Sequence, residues 1–92
     1  MSAGTGWFVY LMRCSDGSLY CGVTTDLARR LAEHNAGTGA RYTRSRRPVA
    51  LEASAPCADK SAALRAEAAV RRHRAEDKAA YVHELARAEE QP

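Results

Sequence analysis

The sequence predicts an α+β fold in which a small three-stranded antiparallel sheet is flanked by about three helices, in the order β-β-α-β-α-α. Two apolar segments joined by a Ser-Asp-Gly turn indicate a β-hairpin between Trp7 and Gly22. Capping residues precede three later segments of helical character, and a proline-led apolar segment lies between the first two of them. The 92 residues are enough for one domain with a modest core.

The turn of the hairpin decides which side chains share a face of the sheet. In a three-residue loop closed by Gly17 in the left-handed region, Tyr10 faces Gly22 and lies on the same face as Tyr20. A two-residue loop of Asp16 and Gly17 would shift the register by one and send the two phenols to opposite faces. A site with both tyrosines therefore requires the three-residue loop.

Three helices follow from the positions of capping residues. The first runs from about Leu27 to Ala36, after N-cap candidates at residues 24–26 and before a glycine. The second begins at Asp59 or Ser61, and the third covers roughly residues 76–88.

The phase of the first helix separates two adjacent arginines. At about 100° per residue, Leu27 and Leu31 mark the buried stripe, and Arg30 and His34 lie beside it. The opposite, solvent-facing side carries Arg29 and Glu33. We therefore expect Arg30 to lean toward the sheet and Arg29 to face solvent.

The segment 37–48 is rich first in glycine and then in arginine, and we predict a loop that has room for one short helical turn. Its cations surround Tyr42 and are Arg41, Arg44, Arg46 and Arg47. They could bind phosphates while Tyr42 stacks on a base; the alternative is a solvated basic loop. Residues 48–53 then form a third strand at an edge of the sheet, because a proline at its start suits an edge.

Glu67 is the most unusual residue of the second helix because it projects between two apolar sides. One side carries Leu64 and Ala68, and the other carries Ala63 and Val70. A buried carboxylate needs a partner or a metal. The other interpretation is a partly exposed glutamate paired with Arg71 one turn later, and the sequence leaves both open.

The net charge of +3 is small, but its distribution is uneven. Seven arginines and only three acidic residues precede residue 48, so the first half of the chain is the half suited to a polyanionic partner.

The three cysteines, Cys14, Cys21 and Cys57, have no CxxC spacing, which argues against zinc and for free thiols in a cytoplasmic protein. No signal peptide or long apolar segment indicates a membrane. We expect a disordered leader at residues 1–6, one domain at 7–88 and a frayed tail at 89–92.

Five residues and their spacing resemble the GIY-YIG nuclease family, and in particular its small single-domain bacterial members. The triplets FVY (8–10) and YCG (20–22) stand where the family has Gly-Ile-Tyr and Tyr-Ile-Gly, with ten residues from Tyr10 to Tyr20. Arg30 and His34 follow in LARRLAEHN, and Glu67 in LRAEAAVRR stands where the family has its later acid. Phe8 and Cys21 depart from the motif, but both tyrosines and Gly22 are kept.

The resemblance implies metal-dependent hydrolysis of phosphodiester bonds. Glu67 would bind one divalent cation, Mg²⁺ or Mn²⁺, as a hard carboxylate ligand. Arg30 would neutralise charge on the phosphate in the transition state. Tyr10 would take a proton from the attacking water, and a nearby cation or a hydrogen bond to His34 would favour its phenolate.

The remaining site residues are expected to position the substrate. Tyr20 would orient water or phosphate, and Gly22 would leave space opposite Tyr10 for the substrate. The family's nucleases commonly carry an additional DNA-binding domain, and none fits here. Selection of the target would then depend on the shape of the DNA or RNA or on a targeting protein partner, or the protein would hardly select its target at all.

The favoured function is a GIY-YIG-type endonuclease acting on DNA rather than RNA, including branched, nicked or single-stranded forms. One alternative is a non-catalytic nucleic-acid-binding module that keeps the nuclease fold; it would use the basic loop without metal-dependent turnover. Another is a protein-interaction module that uses the alanine-rich C-terminal helices. Each tyrosine could also be an ordinary strand residue, and His34 could simply cap its helix.

Overall fold

A computed structural model describes residues 6–90 and confirms the predicted order of strands and long helices. The strands are β1 Trp7–Arg13, β2 Leu19–Thr24 and β3 Ala50–Cys57. The helices are α1 Leu27–Ala36, α2 Arg41–Arg44, α3 Lys60–Arg71 and α4 Ala75–Glu90. Helix α2 is the short helical turn that the basic loop had room for. Residues 1–5 of the expected leader and 91–92 of the expected tail lie outside the described residues. No helix within the described range is long and apolar enough to span a membrane.

The hairpin has the register that the three-residue loop predicts. Tyr10 lies opposite Gly22, and Met12 lies opposite Tyr20. The Cys14 amide donates to the Ser18 carbonyl at 2.8 Å and closes the loop, in which Gly17 has a φ of 87°. Both phenols therefore lie on one face of the sheet.

Strand β1 lies at the centre of the sheet, between β2 and β3, and both pairings are antiparallel. The predicted edge position of β3 is correct, but its predicted bounds of 48–53 are not, because the strand starts at Ala50 and continues to Cys57. The physical reason for the late start is Asn35. Its side-chain amide donates to the Val49 carbonyl at 3.0 Å and accepts from the Val49 amide at 2.7 Å. Both backbone groups of Val49 are thereby withheld from the sheet.

The alternation of side chains along β1 builds one core on each face of the sheet. Val9 and Leu11 pack with Val70 of α3 and Val82 of α4. On the other face, Tyr10 and Met12 pack with residues of α1 and with Val49. The candidate site residues of β1 and α1 therefore meet on the second face.

Helix α3 buries one of its two predicted apolar sides. Ala63 and Val70 are fully buried, whereas Leu64 keeps 45% of its surface exposed. Asp59 is the N-cap, and its carboxylate accepts from the Ala62 amide at 2.8 Å.

We expect Gly17→Ala to lower the free energy of unfolding by about 1–2 kcal/mol, because a residue with a Cβ is strained in the left-handed region. A Cβ at this position would meet nothing within 4 Å, so the loss would come from the backbone alone. Gly17→Asn is the matched control and should lose less, because asparagine tolerates this conformation. Urea unfolding measures both values; equal losses would contradict the explanation.

Candidate active site

The centre of the candidate site is Tyr10, which is fully buried on the middle strand. Its phenol lies against the backbone of Gly22 on the neighbouring strand. A Cβ at Gly22 would lie 2.5 Å from Tyr10 Oη and 2.7 Å from Cζ, closer than real side chains approach. The space opposite Tyr10 that was expected to receive substrate is thus occupied by the phenol itself. The phenol can take this position because Gly22 has no side chain.

Two side chains of α1 converge on the Tyr10 hydroxyl. His34 Nε2 lies 3.1 Å from Oη, and the Arg30 Nε–H donates to Oη at 3.4 Å. Arg30 has 30% of its side chain exposed, and Arg29 has 61%. The helical phase therefore identified the arginine that faces the sheet.

Glu33 lies closer to this site than the helical phase predicted. It is half-buried rather than solvated, and its carboxylate lies 2.9 Å from Arg30 Nη1 and 3.8 Å from Arg29 Nε. Residues three and four apart are neighbours on a helix surface, so Glu33 reaches both arginines. Glu33 consequently holds one edge of the guanidinium while the other contacts the phenol.

Burial controls the protonation states of the central pair. Burial raises the pKa of Tyr10 above its usual range, although the hydrogen bond from Arg30 opposes this effect. Burial also lowers the pKa of His34, and the charge of Arg30 lowers it further. At neutral pH the site accordingly holds a neutral phenol and a neutral imidazole.

Aromatic rings connect this pair to the basic loop. The Tyr20 ring centroid lies 6.4 Å from that of Tyr10, 5.2 Å from that of His34 and 5.9 Å from that of Tyr42. The Tyr42 ring is stacked on Tyr20, and the Arg46 guanidinium lies 4.0 Å from its centroid. Tyr42 is thus already engaged within the protein and keeps 38% of its surface exposed.

The four loop arginines divide into two pairs. Arg46 binds Asp16 at 3.0 Å and the Tyr42 carbonyl at 2.8 Å, and Arg47 donates to the carbonyls of Arg44 and Asn35. The side chains of Arg41 and Arg44 are exposed and make no hydrogen bond or ion pair with the rest of the described chain. Of these four arginines, only Arg41 and Arg44 can bind a phosphate without losing a contact within the protein.

Glu67 lies in helix α3, which packs on the face of the sheet opposite the tyrosines. Its carboxylate binds Arg71 at 3.0 Å, and 19% of its side chain is exposed. Burial raises the pKa of the neighbouring Cys21 thiol to about 11, and the charge of Glu67 adds to this effect. Among residues 6–88 no hydrogen bond or ion pair joins Glu67 to Tyr10, Arg30 or His34. The ion pair with Arg71, one of the two interpretations from the sequence, is present.

A divalent cation would find one carboxylate here rather than a preformed cage. No group of three or more His, Cys, Asp or Glu residues suited to a metal occurs in the described part of the chain. Mg²⁺ is commonly held by one or two carboxylates together with waters and substrate phosphates. The donor at Glu67 therefore fits a cation that binds together with the substrate.

One close contact was not foreseen from the sequence. The Thr43 hydroxyl lies 2.7 Å from His34 Nδ1, and both residues are fully buried. Threonine in a polar, arginine-rich segment carries no signal of burial, so only the folding of the loop onto α1 reveals the pair.

Comparison with known proteins agrees with this architecture. A family model described as the GIY-YIG catalytic domain matches residues 6–82. A UPF0213 protein of Cupriavidus pinatubonensis is 46% identical over 85 residues, which cover 92% of this chain and 94% of that protein. A UPF0213 protein of Vibrio cholerae is 48% identical and covers 88% and 81% of the two chains.

Two solution NMR structures are also similar to the fold. The protein from E. faecalis has a TM-score of 0.59 and 40% identity, covering 85% of this chain and 83% of that one. The UPF0213 protein from Bacillus halodurans has a TM-score of 0.53 and 38% identity, covering 88% and 86%.

We expect Gly22→Ala to displace the Tyr10 phenol and lower the free energy of unfolding by about 1–3 kcal/mol, the usual cost of overpacking a core. The loss should be smaller in a Tyr10→Phe background, because the nearest atom, Oη, is then absent. A double-mutant cycle from urea unfolding measures this coupling. Additive losses would show that the two residues do not meet as described.

Proposed function

This chain belongs to the GIY-YIG family, and we propose that it is a metal-dependent endonuclease that hydrolyses phosphodiester bonds in DNA, including branched or single-stranded forms. The observation that carries the proposal is the convergence of Arg30 and His34 on the buried hydroxyl of Tyr10. The phenol of Tyr10 can accept a proton from water, and the imidazole of His34 can accept the proton of the phenol. The guanidinium of Arg30 supplies a fixed positive charge.

Tyr10 and His34 together would remove the proton of the attacking water. Because burial raises the pKa of Tyr10, a standing phenolate is unfavourable at neutral pH. His34 Nε2, 3.1 Å away, can accept the phenol proton while Oη, which is buried in the free protein, accepts a proton from a water that enters with the substrate. The oxygen of that water then bonds to phosphorus, and the leaving oxygen departs with the electrons of the broken P–O bond and is protonated by solvent. The half-buried Glu33 favours the imidazolium that forms.

Arg30 would stabilise the charge that develops on the phosphate. Its guanidinium is held between Tyr10 and Glu33, and 30% of the side chain remains open to solvent. A planar guanidinium with several donors suits the non-bridging oxygens of a phosphodiester. Tyr20, with its ring beside both Tyr10 and His34, would orient the water or the phosphate.

Glu67 would hold the Mg²⁺ or Mn²⁺ ion, which when bound supplies Lewis-acid stabilisation of phosphate oxygens. Arg71, 58% of whose side chain is exposed, pairs with this carboxylate and also donates to the Cys21 carbonyl at 3.3 Å, so the metal would share or replace the arginine as the partner of Glu67. Tyr20 and Cys21 are adjacent on the edge strand β2 and face opposite sides of the sheet, the first on the side of Tyr10 and the second on the side of Glu67. A nucleic acid strand that crosses the edge of β2 could therefore contact the tyrosine site and Glu67 together.

We expect Glu67→Gln to reduce metal-dependent cleavage at least about 100-fold, the scale of losing one strong electrostatic contact in the transition state. The assay is a panel of labelled single-stranded, duplex, flap and branched DNA with Mg²⁺ or Mn²⁺, and RNA alongside. Glu52→Gln is the matched control, because Glu52 is also paired with an arginine, at 3.1 Å, but on strand β3. Metal-independent cleavage, or full activity of Glu67→Gln, would refute the proposal.

We expect the loop arginines to separate into binding and structural residues. Arg41→Ala and Arg44→Ala should weaken DNA binding, each reducing the salt dependence by about one phosphate contact, with no change in melting temperature. Arg46→Ala and Arg47→Ala should instead lower the melting temperature, because they remove contacts to Asp16 and to carbonyls of the loop and of helix α1. Fluorescence anisotropy across a salt series and thermal unfolding measure the two effects. A uniform loss of binding without loss of stability would contradict this division.

A second candidate function is a non-catalytic nucleic-acid-binding module. The exposed, unpaired Arg41 and Arg44 favour binding whether or not cleavage follows. Arg44 also borders a surface depression of about 520 Å³ together with Asn35, Arg47 and Pro48, which offers room for a phosphate. Salt-sensitive binding without turnover in any metal would favour this alternative.

A further inference from the structure

The second nitrogen of His34 has its own buried partner. Nδ1 lies 2.7 Å from Thr43 Oγ1, and Thr43 Oγ1 lies 3.0 Å from the Ala40 carbonyl oxygen. His34 and Thr43 are both fully buried. A chain of contacts therefore runs from the Tyr10 hydroxyl through the imidazole and the threonine to the backbone of the loop.

The Ala40 carbonyl can only accept a hydrogen bond, and this determines the direction of each hydrogen bond along the chain of contacts. The Ala40 carbonyl has no proton, so the single hydroxyl proton of Thr43 points to it. Thr43 Oγ1 then accepts from Nδ1–H, and in a neutral imidazole Nε2 is left without a proton. Nε2 accepts in turn from the buried Tyr10 hydroxyl, which would otherwise lack an acceptor.

The competing tautomer has a visible but weaker partner. The Ala40 amide N–H points at Nδ1 from 3.4 Å, a longer contact than those of Thr43 Oγ1, which are 2.7 Å to Nδ1 and 3.0 Å to the Ala40 carbonyl. If the threonine hydroxyl were absent, this amide would be the remaining partner of Nδ1. The imidazole proton would then move to Nε2.

Gly39 allows the loop to reach the imidazole. A Cβ at Gly39 would lie 2.5 Å from His34 Nδ1 and 2.9 Å from His34 Cα. The loop thus approaches so closely that no side chain fits, and this approach carries Thr43 to its place.

We propose that Thr43 is a positioning residue that holds His34 in the tautomer with a proton on Nδ1 and a bare Nε2 facing Tyr10. In the proposed nuclease, on which this inference rests for its catalytic meaning, that tautomer lets His34 receive the phenol proton. The opposite tautomer would place an N–H against the phenol and remove the acceptor.

The test replaces the hydroxyl without changing the shape of the side chain. Thr43→Val should move the imidazole proton to Nε2, and Thr43→Ser should keep it on Nδ1; ¹⁵N NMR of the His34 ring measures the tautomer. With DNA and Mg²⁺, Thr43→Val should lower kcat by about 10–100-fold with KM nearly unchanged, and Thr43→Ser should restore most of it. Thr38→Val is the matched control, because its hydroxyl binds the Glu33 carbonyl and does not contact the imidazole.

The spectroscopic result decides the inference separately from the activity. A proton on Nε2 in the unmodified protein would overturn it, even if Thr43→Val failed to fold. An unchanged tautomer and kcat in a folded Thr43→Val variant would overturn it as well. If the protein cleaves no nucleic acid, the proposed nuclease function fails, while the change of tautomer between the valine and serine variants still supports the positioning role. Arg44→Ala should leave the tautomer unchanged, which separates positioning from phosphate binding.

Discussion

The packing of a tyrosine phenol on a bare backbone is the constraint on which the rest of the site depends. Tyr10 occupies the central strand and has no exposed surface, so its hydroxyl must find partners inside the protein. Gly22 supplies the space, and Arg30 and His34 supply the partners. The register of the hairpin and the phase of α1 therefore cannot vary independently, because either change would leave the hydroxyl unpaired.

The basic loop, residues 37–48, contains both residues exposed to solvent and residues that hold the loop against helix α1. Helix α2 buries Thr43 against His34 and exposes its neighbour Arg44 to solvent, so the residue proposed to contact phosphate and the residue that contacts the proposed proton acceptor are adjacent in the chain. Arg46 and Arg47 hold the loop in this position through Asp16 and the end of α1. Two of the arginines that suggest nucleic-acid binding therefore stabilise the loop instead.

Several features of the site were predictable from the sequence, because they depend on residues close together in the chain. The Ser-Asp-Gly turn predicted the register that brings Tyr10 opposite Gly22, since loop length controls strand pairing. Helical periodicity distinguished Arg30 from Arg29. It was less accurate for Glu33, which keeps 38% of its side chain exposed but pairs with Arg30 as well as with Arg29.

The sequence by itself determined the order of the elements, the pairing of the hairpin and the face of α1 that meets it, because turns and helices obey rules that act over a few residues. Only the tertiary structure decided that Asn35 delays strand β3, that two of four arginines are already bound, and that Thr43 meets His34. These contacts depend on how a loop folds back on a helix that is already packed. Local periodicity carries no information about that approach, whereas close packing in three dimensions determines it.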